Sequence, residues 1–260
     1  MRKYWAMARA ELLDAIAEKE EILIWIIIDA IPVFVMGSLW LANSHNLVQV
    51  SISEMVTYYL VVMITSRLTE FYFDEYVQDE IRDGTFSRYL LKPLRLPWLF
   101  LPVIWGRRLF ENILLIPVSA LIIILFRQYL VIPDLSALAL FAVYLVISSF
   151  IRYSLSVLIT TAAFYWEQTY SLVHLRWILE AVAGGYVLPL IFYPSWIRFI
   201  PDSLPFKYIF FVPTAVFIGM ISVQEAVASL RPALLWMVGL LLLSNLLWKT
   251  GVKKYSSVGG

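Results

Sequence analysis

Long apolar runs separated by short polar stretches organise this 260-residue chain. The first run, Ile22 to about Leu41, is interrupted by Asp29 and Pro32. A second covers about Glu54 to Phe73, and a third opens amphipathically at Trp98 before becoming apolar from Ile113 to Phe126. A turn at Pro133 and Asp134 leads to a fourth run, about Leu138 to Tyr165, which contains Arg152. The fifth, about Trp177 to Phe192, holds Gly184, Gly185 and Pro189, and the sixth covers about Pro232 to Trp248. A helix needs roughly 20 apolar residues to cross a hydrocarbon core about 30 Å thick. The runs therefore predict an all-α integral membrane protein with six transmembrane helices within residues 22–250.

The remaining segments read differently. In residues 1–21, Trp5, Ala8, Leu12 and Ile16 recur at three- and four-residue steps, with charges on the other face. That spacing predicts an amphipathic helix lying in the membrane interface, or a solvated helix packed on the rest of the protein. The apolar run that follows is too long for a signal-peptide core, so the chain is expected to be inserted whole. Between residues 193 and 230, Pro194, Pro201, Pro205 and Pro213 divide short apolar pieces. Such pieces predict interfacial or re-entrant helices before the last span.

Composition agrees with the pattern. The chain is 61% hydrophobic and 15% charged, with a mean hydropathy of +0.79, against about half and a quarter in soluble domains. Orientation follows from Lys and Arg near the span ends. With the N-terminus inside, fifteen of the 20 basic residues lie on the cytoplasmic side and four outside, Arg152 being intramembrane. Both termini are expected in the cytoplasm, with 251–260 as a short tail.

Several function classes are excluded by what the chain lacks. There are no cysteines, and the two histidines, His45 and His174, are far apart, so no metal cluster is predicted. A net charge of +1 with no basic block gives no argument for nucleic acid. No glycine opens a phosphate-binding loop of the G-x-x-x-x-G-K-[ST] type. Uphill work would need a partner or an ion gradient as its energy source.

Asp29 and Arg152 are the charges nearest mid-span, each about 10–20 Å deep at 1.5 Å per residue. Charges at that depth are costly and face a partner or an aqueous cavity. Two readings follow: Asp29 pairs with Arg152, or Asp29 lines a pathway and meets a cationic substrate. Glu180 follows Arg176 by four residues and Glu111 follows Arg107 by four, as helical pairs do. Most tryptophans, Trp248 among them, fall near span ends as in an aromatic belt.

Residues 74–97, DEYVQDEIRDGTFSRYLLKPLRLP, form the one extended hydrophilic stretch. Its first half is acidic and helix-compatible up to Gly84. Its second half places Phe86, Tyr89, Leu90 and Leu91 beside Arg88 and Lys92. A short amphipathic helix there would either expose apolar knobs for a partner's groove or anchor the loop at the interface.

The stretch DEIRDGTFSRYLLKPL, with LPFKYIFFVPTAVFIG before the last span and GVKKYSSVGG at the end, resembles the type-2 permeases of ATP-binding cassette exporters. The resemblance implies a bacterial inner-membrane exporter in which two permease subunits, identical or paralogous, surround a pathway above two separate ATPase subunits. ATP and Mg would be bound by those partners and no cofactor by this chain. It implies that Asp83, Gly84, Phe86, Arg88, Tyr89, Leu90, Leu91, Lys92 and Pro93 form the coupling element. It likewise makes residues 1–21 an elbow helix and 193–230 an extracellular hairpin region. The alternative is an ion-coupled secondary transporter that uses Asp29 or Glu180.

Overall fold

Residues 2–42, 50–71, 73–90, 100–166 and 169–255 are described by the computed structural model, and every regular element among them is helical. In chain order these are α1 (Arg2–Ala17), α2 (Lys19–Ala42), α3 (Ile52–Thr69), α4 (Phe73–Arg82), α5 (Ser87–Leu90) and α6 (Phe100–Phe126). There follow α7 (Leu135–Ala162), α8 (Tyr170–Ala183), α9 (Ser195–Ser203), α10 (Phe211–Ile218) and α11 (Val223–Val252).

Helix starts are set by local chemistry. Ser51 and Glu54 form a reciprocal capping box at α3, as Ser222 and Glu225 do at α11. Asp134 caps α7 by accepting the Ala137 N–H at 2.6 Å, which holds its carboxyl below the usual range.

Four helices, α2, α6, α7 and α11, are long and apolar enough to cross a membrane. Their outer faces carry exposed side chains such as Ile24 and Ile31 on α2, Ile116 and Ile124 on α6, and Leu242 and Leu246 on α11. A surface so apolar is stable against lipid rather than water. The 18-residue α3 is the inverse case, buried along most of its length. It runs from Thr57, which accepts the Val131 N–H at 2.9 Å near one end of the bundle, to Arg67 near the other.

The fifth apolar run departs from expectation. Instead of one helix over 177–192, α8 stops at Ala183 and the chain turns through Gly185 at φ +84°. The turn is pinned by α3: Tyr58 donates to the Gly185 carbonyl at 2.6 Å and Tyr59 to that of Val187 at 3.1 Å. A Cβ on Gly185 would stand 2.9 Å from the Tyr58 hydroxyl oxygen, so this position needs glycine for both conformation and space. Beyond it, 3₁₀ turns at Leu190–Phe192 and Pro205–Tyr208 flank α9. The short α10 is buried against α7 and α3. The last helix begins at Val223, nine residues before the sequence suggests, and carries Pro232 inside it.

Helix α1 lies along the first half of α6. At Gly106 the two backbones approach so closely that any Cβ would collide with the Ala8 carbonyl. Ala15 is fully buried, Leu12 half-buried, and Trp5 and Ile16 exposed. The aromatic-belt expectation fails for Trp248, which is 2% exposed and packs on Phe73, Phe86 and Phe164.

Candidate functional site

An unusual stripe on α7 organises the charged end of the bundle. Ser148, Arg152, Ser156 and Thr160 recur at four-residue steps and are all buried, so one buried face of the span is polar. Arg152 donates from Nε to Glu180 on α8 at 3.0 Å and from Nη1 to the Ser66 carbonyl at 2.9 Å. Its Nη2 lies 3.8 Å from Glu70. Glu180 in turn accepts from Arg176 at 2.8 Å, and Arg176 reaches Asp74 on α4 at 3.0 Å.

Asp74 completes the chain of contacts. Its backbone N–H donates to the Ser156 hydroxyl at 2.9 Å, and that hydroxyl donates to its carboxylate. Burial pushes the Asp74 carboxyl up, while Arg176 and Ser156 oppose the shift. Asp74, Arg176, Glu180 and Arg152 thus form a buried ladder from α4 through α8 to α7. Buried charges are tolerated only when fully paired, and removing one partner is strongly destabilising.

The sequence expectation of an Asp29–Arg152 pair is corrected here. Asp29 is bound by Arg67 of α3, whereas Arg152 is taken by Glu180. Depth alone does not choose a partner; the azimuth of each helix does. The two pairs nevertheless adjoin, since Glu70 lies 3.8 Å from both Arg67 and Arg152. The helical pair Arg107–Glu111 forms at 3.0 Å, with Glu18 bound to the same guanidinium at 2.7 Å. Arg108 turns away to the Leu68 carbonyl and the Phe71 ring.

Beside the ladder the α4–α5 segment is clamped to the span ends. Phe86 is fully buried, with ring centroids 5.4–5.9 Å from those of Phe164, Trp248, Tyr255 and Tyr89. This corrects its reading as an exposed knob: Phe86 is the anchor of the segment. Tyr255 donates to the Gly84 carbonyl at 2.7 Å, so the end of the chain ties the same turn. Glu80 binds Arg88 and accepts from the Tyr89 hydroxyl at 3.1 Å. Asp83 and Arg88 are exposed, Tyr89 is half-buried, and Leu90 is 41% exposed. Leu91, Lys92 and Pro93 lie outside the described residues.

A cavity of about 780 Å³ opens at this end, with Asp29, Arg67, Glu70, Arg152 and Glu180 on its wall. All three intramembrane residues singled out from sequence, Asp29, Arg152 and Glu180, therefore meet at one site. Sequence reasoning missed the contributions of Arg67, Asp74 and Ser156. The four-residue polar stripe of α7 was the signal for Ser156.

A sequence model of the family described as ABC-2 family transporter protein matches residues 23–259. The chain belongs to that family. The ABC-2 protein described here is thus a membrane transport subunit, a permease, of an ATP-binding cassette transporter. Among curated proteins and among solved structures, none matches the chain. In this ABC-2 permease the cavity, the ladder and the clamped segment all sit at one end of the bundle.

Proposed function

We propose that this permease forms half of the pathway of an ATP-driven exporter, coupled to separate ATPase subunits through the α4–α5 segment. The observation that carries the reading is the seating of Phe86 among Phe164, Trp248 and Tyr255. That aromatic packing fastens the segment to the ends of α7 and α11, so a push on α5 moves two long helices together. The buried Asp74–Arg176–Glu180–Arg152 ladder extends the connection to α8.

In this reading α3 and α8 join the four long apolar helices to give six crossings, and α1 lies in the interface. Both ends of the chain face the cytoplasm, in keeping with its excess of Lys and Arg there, and the membrane is the bacterial inner membrane. ATP and Mg bind to two partner ATPases. A second permease, identical or a paralogue, closes the pathway on the open side of the cavity. Alternating access follows when ATP binding draws the ATPases together. Exposed Leu90, with Arg88 beside it, forms the docking tip.

Purification from native membranes in mild detergent tests this. A stoichiometric ATPase is expected with the wild-type protein, released by Leu90→Asp without loss of the permease itself. Purification without an ATPase, or unchanged recovery in Leu90→Asp, would contradict the reading. An ion-coupled transporter would then become the better account, with Asp29 as the first residue to test.

A further inference from the structure

The cavity has a chemical character that the coupling account does not require. Its volume of about 780 Å³ falls within the range of sites for drug-sized ligands, about 300–1,000 Å³. Seven carboxylates line it against three guanidiniums, with no lysine. All three guanidiniums are engaged: Arg67 by Asp29, Arg107 by Glu18 and Glu111, and Arg152 by Glu180. Arg82 and Arg176 reach Asp79 and Glu180 from outside the lining, and with them counted the carboxylates still exceed the guanidiniums. Among the described residues Glu21 has no ion-pair or hydrogen-bond partner.

The same walls are aromatic. Trp25 and Trp177 line the cavity and remain 53% and 44% exposed, and Tyr186 and Phe210 lie among its lining residues. Aromatic faces attract cations through their quadrupole, most strongly where water is excluded. The protein already uses this contact inside the site, with the Arg152 guanidinium 5.3 Å from the Phe210 ring centre. An anion entering here would meet guanidiniums that are already paired and carboxylates that repel it. A neutral polar solute would leave the excess negative charge without compensation.

We propose that the cavity binds an amphipathic organic cation, its charge held by the Glu21, Asp29 and Glu70 carboxylates and its apolar rings by Trp25 and Trp177. This rests on the permease reading and deepens it by naming the substrate class. The size fits an ion carrying several rings rather than a metal ion. The position, between α2 and α8, places the ligand beside a helix that the ladder joins to the α4–α5 segment.

Tetraphenylphosphonium and tetraphenylborate, matched in size and apolarity and opposite in charge, provide the test. Equilibrium dialysis with the detergent-purified permease–ATPase complex is expected to show saturable binding of the phosphonium and none of the borate. Glu21→Gln, an exposed position that leaves the fold intact, weakens phosphonium binding by about fivefold. Asp29→Asn and Trp177→Ala weaken it as well. Equal or tighter binding of the borate, no saturable binding of the phosphonium, or unchanged affinity in Glu21→Gln and Trp177→Ala would overturn the proposal. ATPase recovery is read from the same preparation. An intact complex that ignores the phosphonium defeats the cation site alone, whereas phosphonium binding without a co-purifying ATPase defeats the coupling reading and leaves the site standing.

Discussion

Arg152 and Glu180 meet at 3.0 Å between Nε and Oε2, and each side chain is only 4% exposed. Glu180 also holds Arg176 at 2.8 Å, so one carboxylate bridges two guanidiniums from different helices. Glu180→Ala leaves both without that partner. Breaking a buried pair costs about 3–5 kcal/mol, so the variant is expected to lose most of its folded yield. Glu180→Gln, which keeps hydrogen-bonding capacity, is expected to fall between it and wild type in a thermal melt in detergent.

The neighbouring pair gives a test of partner choice. Asp29 belongs to Arg67, not Arg152. The exchange Asp29→Arg with Arg67→Asp is expected to recover expression lost in either single variant. The exchange Asp29→Arg with Arg152→Asp is expected not to, because it sets a guanidinium against Arg67 and a carboxylate against Glu180. Rescue by the second exchange and not the first, read by immunoblot of membranes, would contradict the assigned pairing.

Phe86 is the fixed point of the α4–α5 segment. Truncating a fully buried Phe to Ala removes its packing and leaves a cavity, at a cost of about 3–5 kcal/mol. Phe86→Ala is therefore expected to free the segment. Limited proteolysis should show faster cleavage near residues 83–90 while the spans stay protected. Tyr255→Phe removes only the bond to the Gly84 carbonyl and should produce the same change more weakly.

Two glycines test the helix contacts. Gly106→Ala is expected to push α1 off α6, because its Cβ has no room beside Ala8. Fluorescence of Trp5, with other tryptophans unchanged by replacement, would report the new environment. Gly185→Ala adds strain at φ +84° to a contact with Tyr58, about 1–3 kcal/mol in all. Gly219→Ala shares the positive φ but has nothing within 4 Å, so its melting temperature should drop less.

Much of the fold was legible because apolar length encodes spans directly. The runs at α2, α6, α7 and α11 appear as long helices, and the Gly84 stop falls where α4 ends, at φ 77°. The run through Gly184, Gly185 and Pro189 misled because hydropathy records burial and not direction. A chain that turns inside the bundle stays as apolar as one that continues straight. Trp248 and Phe86 misled for a related reason: an aromatic near a span end suits a lipid interface or a packed cluster equally well. The site was half legible. Asp29 and Arg152 stood out as costly charges and Glu180 as the helical partner of Arg176, but the partners of Asp29 and Arg152 depend on how helices rotate about their axes. Arg67 and Asp74 lie at span ends, where charge is ordinary, so nothing local set them apart.

The proposed coupling requires the α5 tip to meet an ATPase at the cytoplasmic face. The chain has no cysteine, so Leu90→Cys and Trp196→Cys each supply a single thiol, the second on α9 at the opposite end, where Trp196 is 74% exposed. Thiol-directed cross-linking in native membranes is the most direct measurement. Leu90→Cys is expected to cross-link to a protein with a phosphate-binding loop, in a manner that changes with ATP, and Trp196→Cys is expected not to. A membrane-impermeant maleimide should label Trp196→Cys alone in intact cells. Cross-linking of the ATPase at residue 196, or at neither position, would rule out docking at the α5 tip.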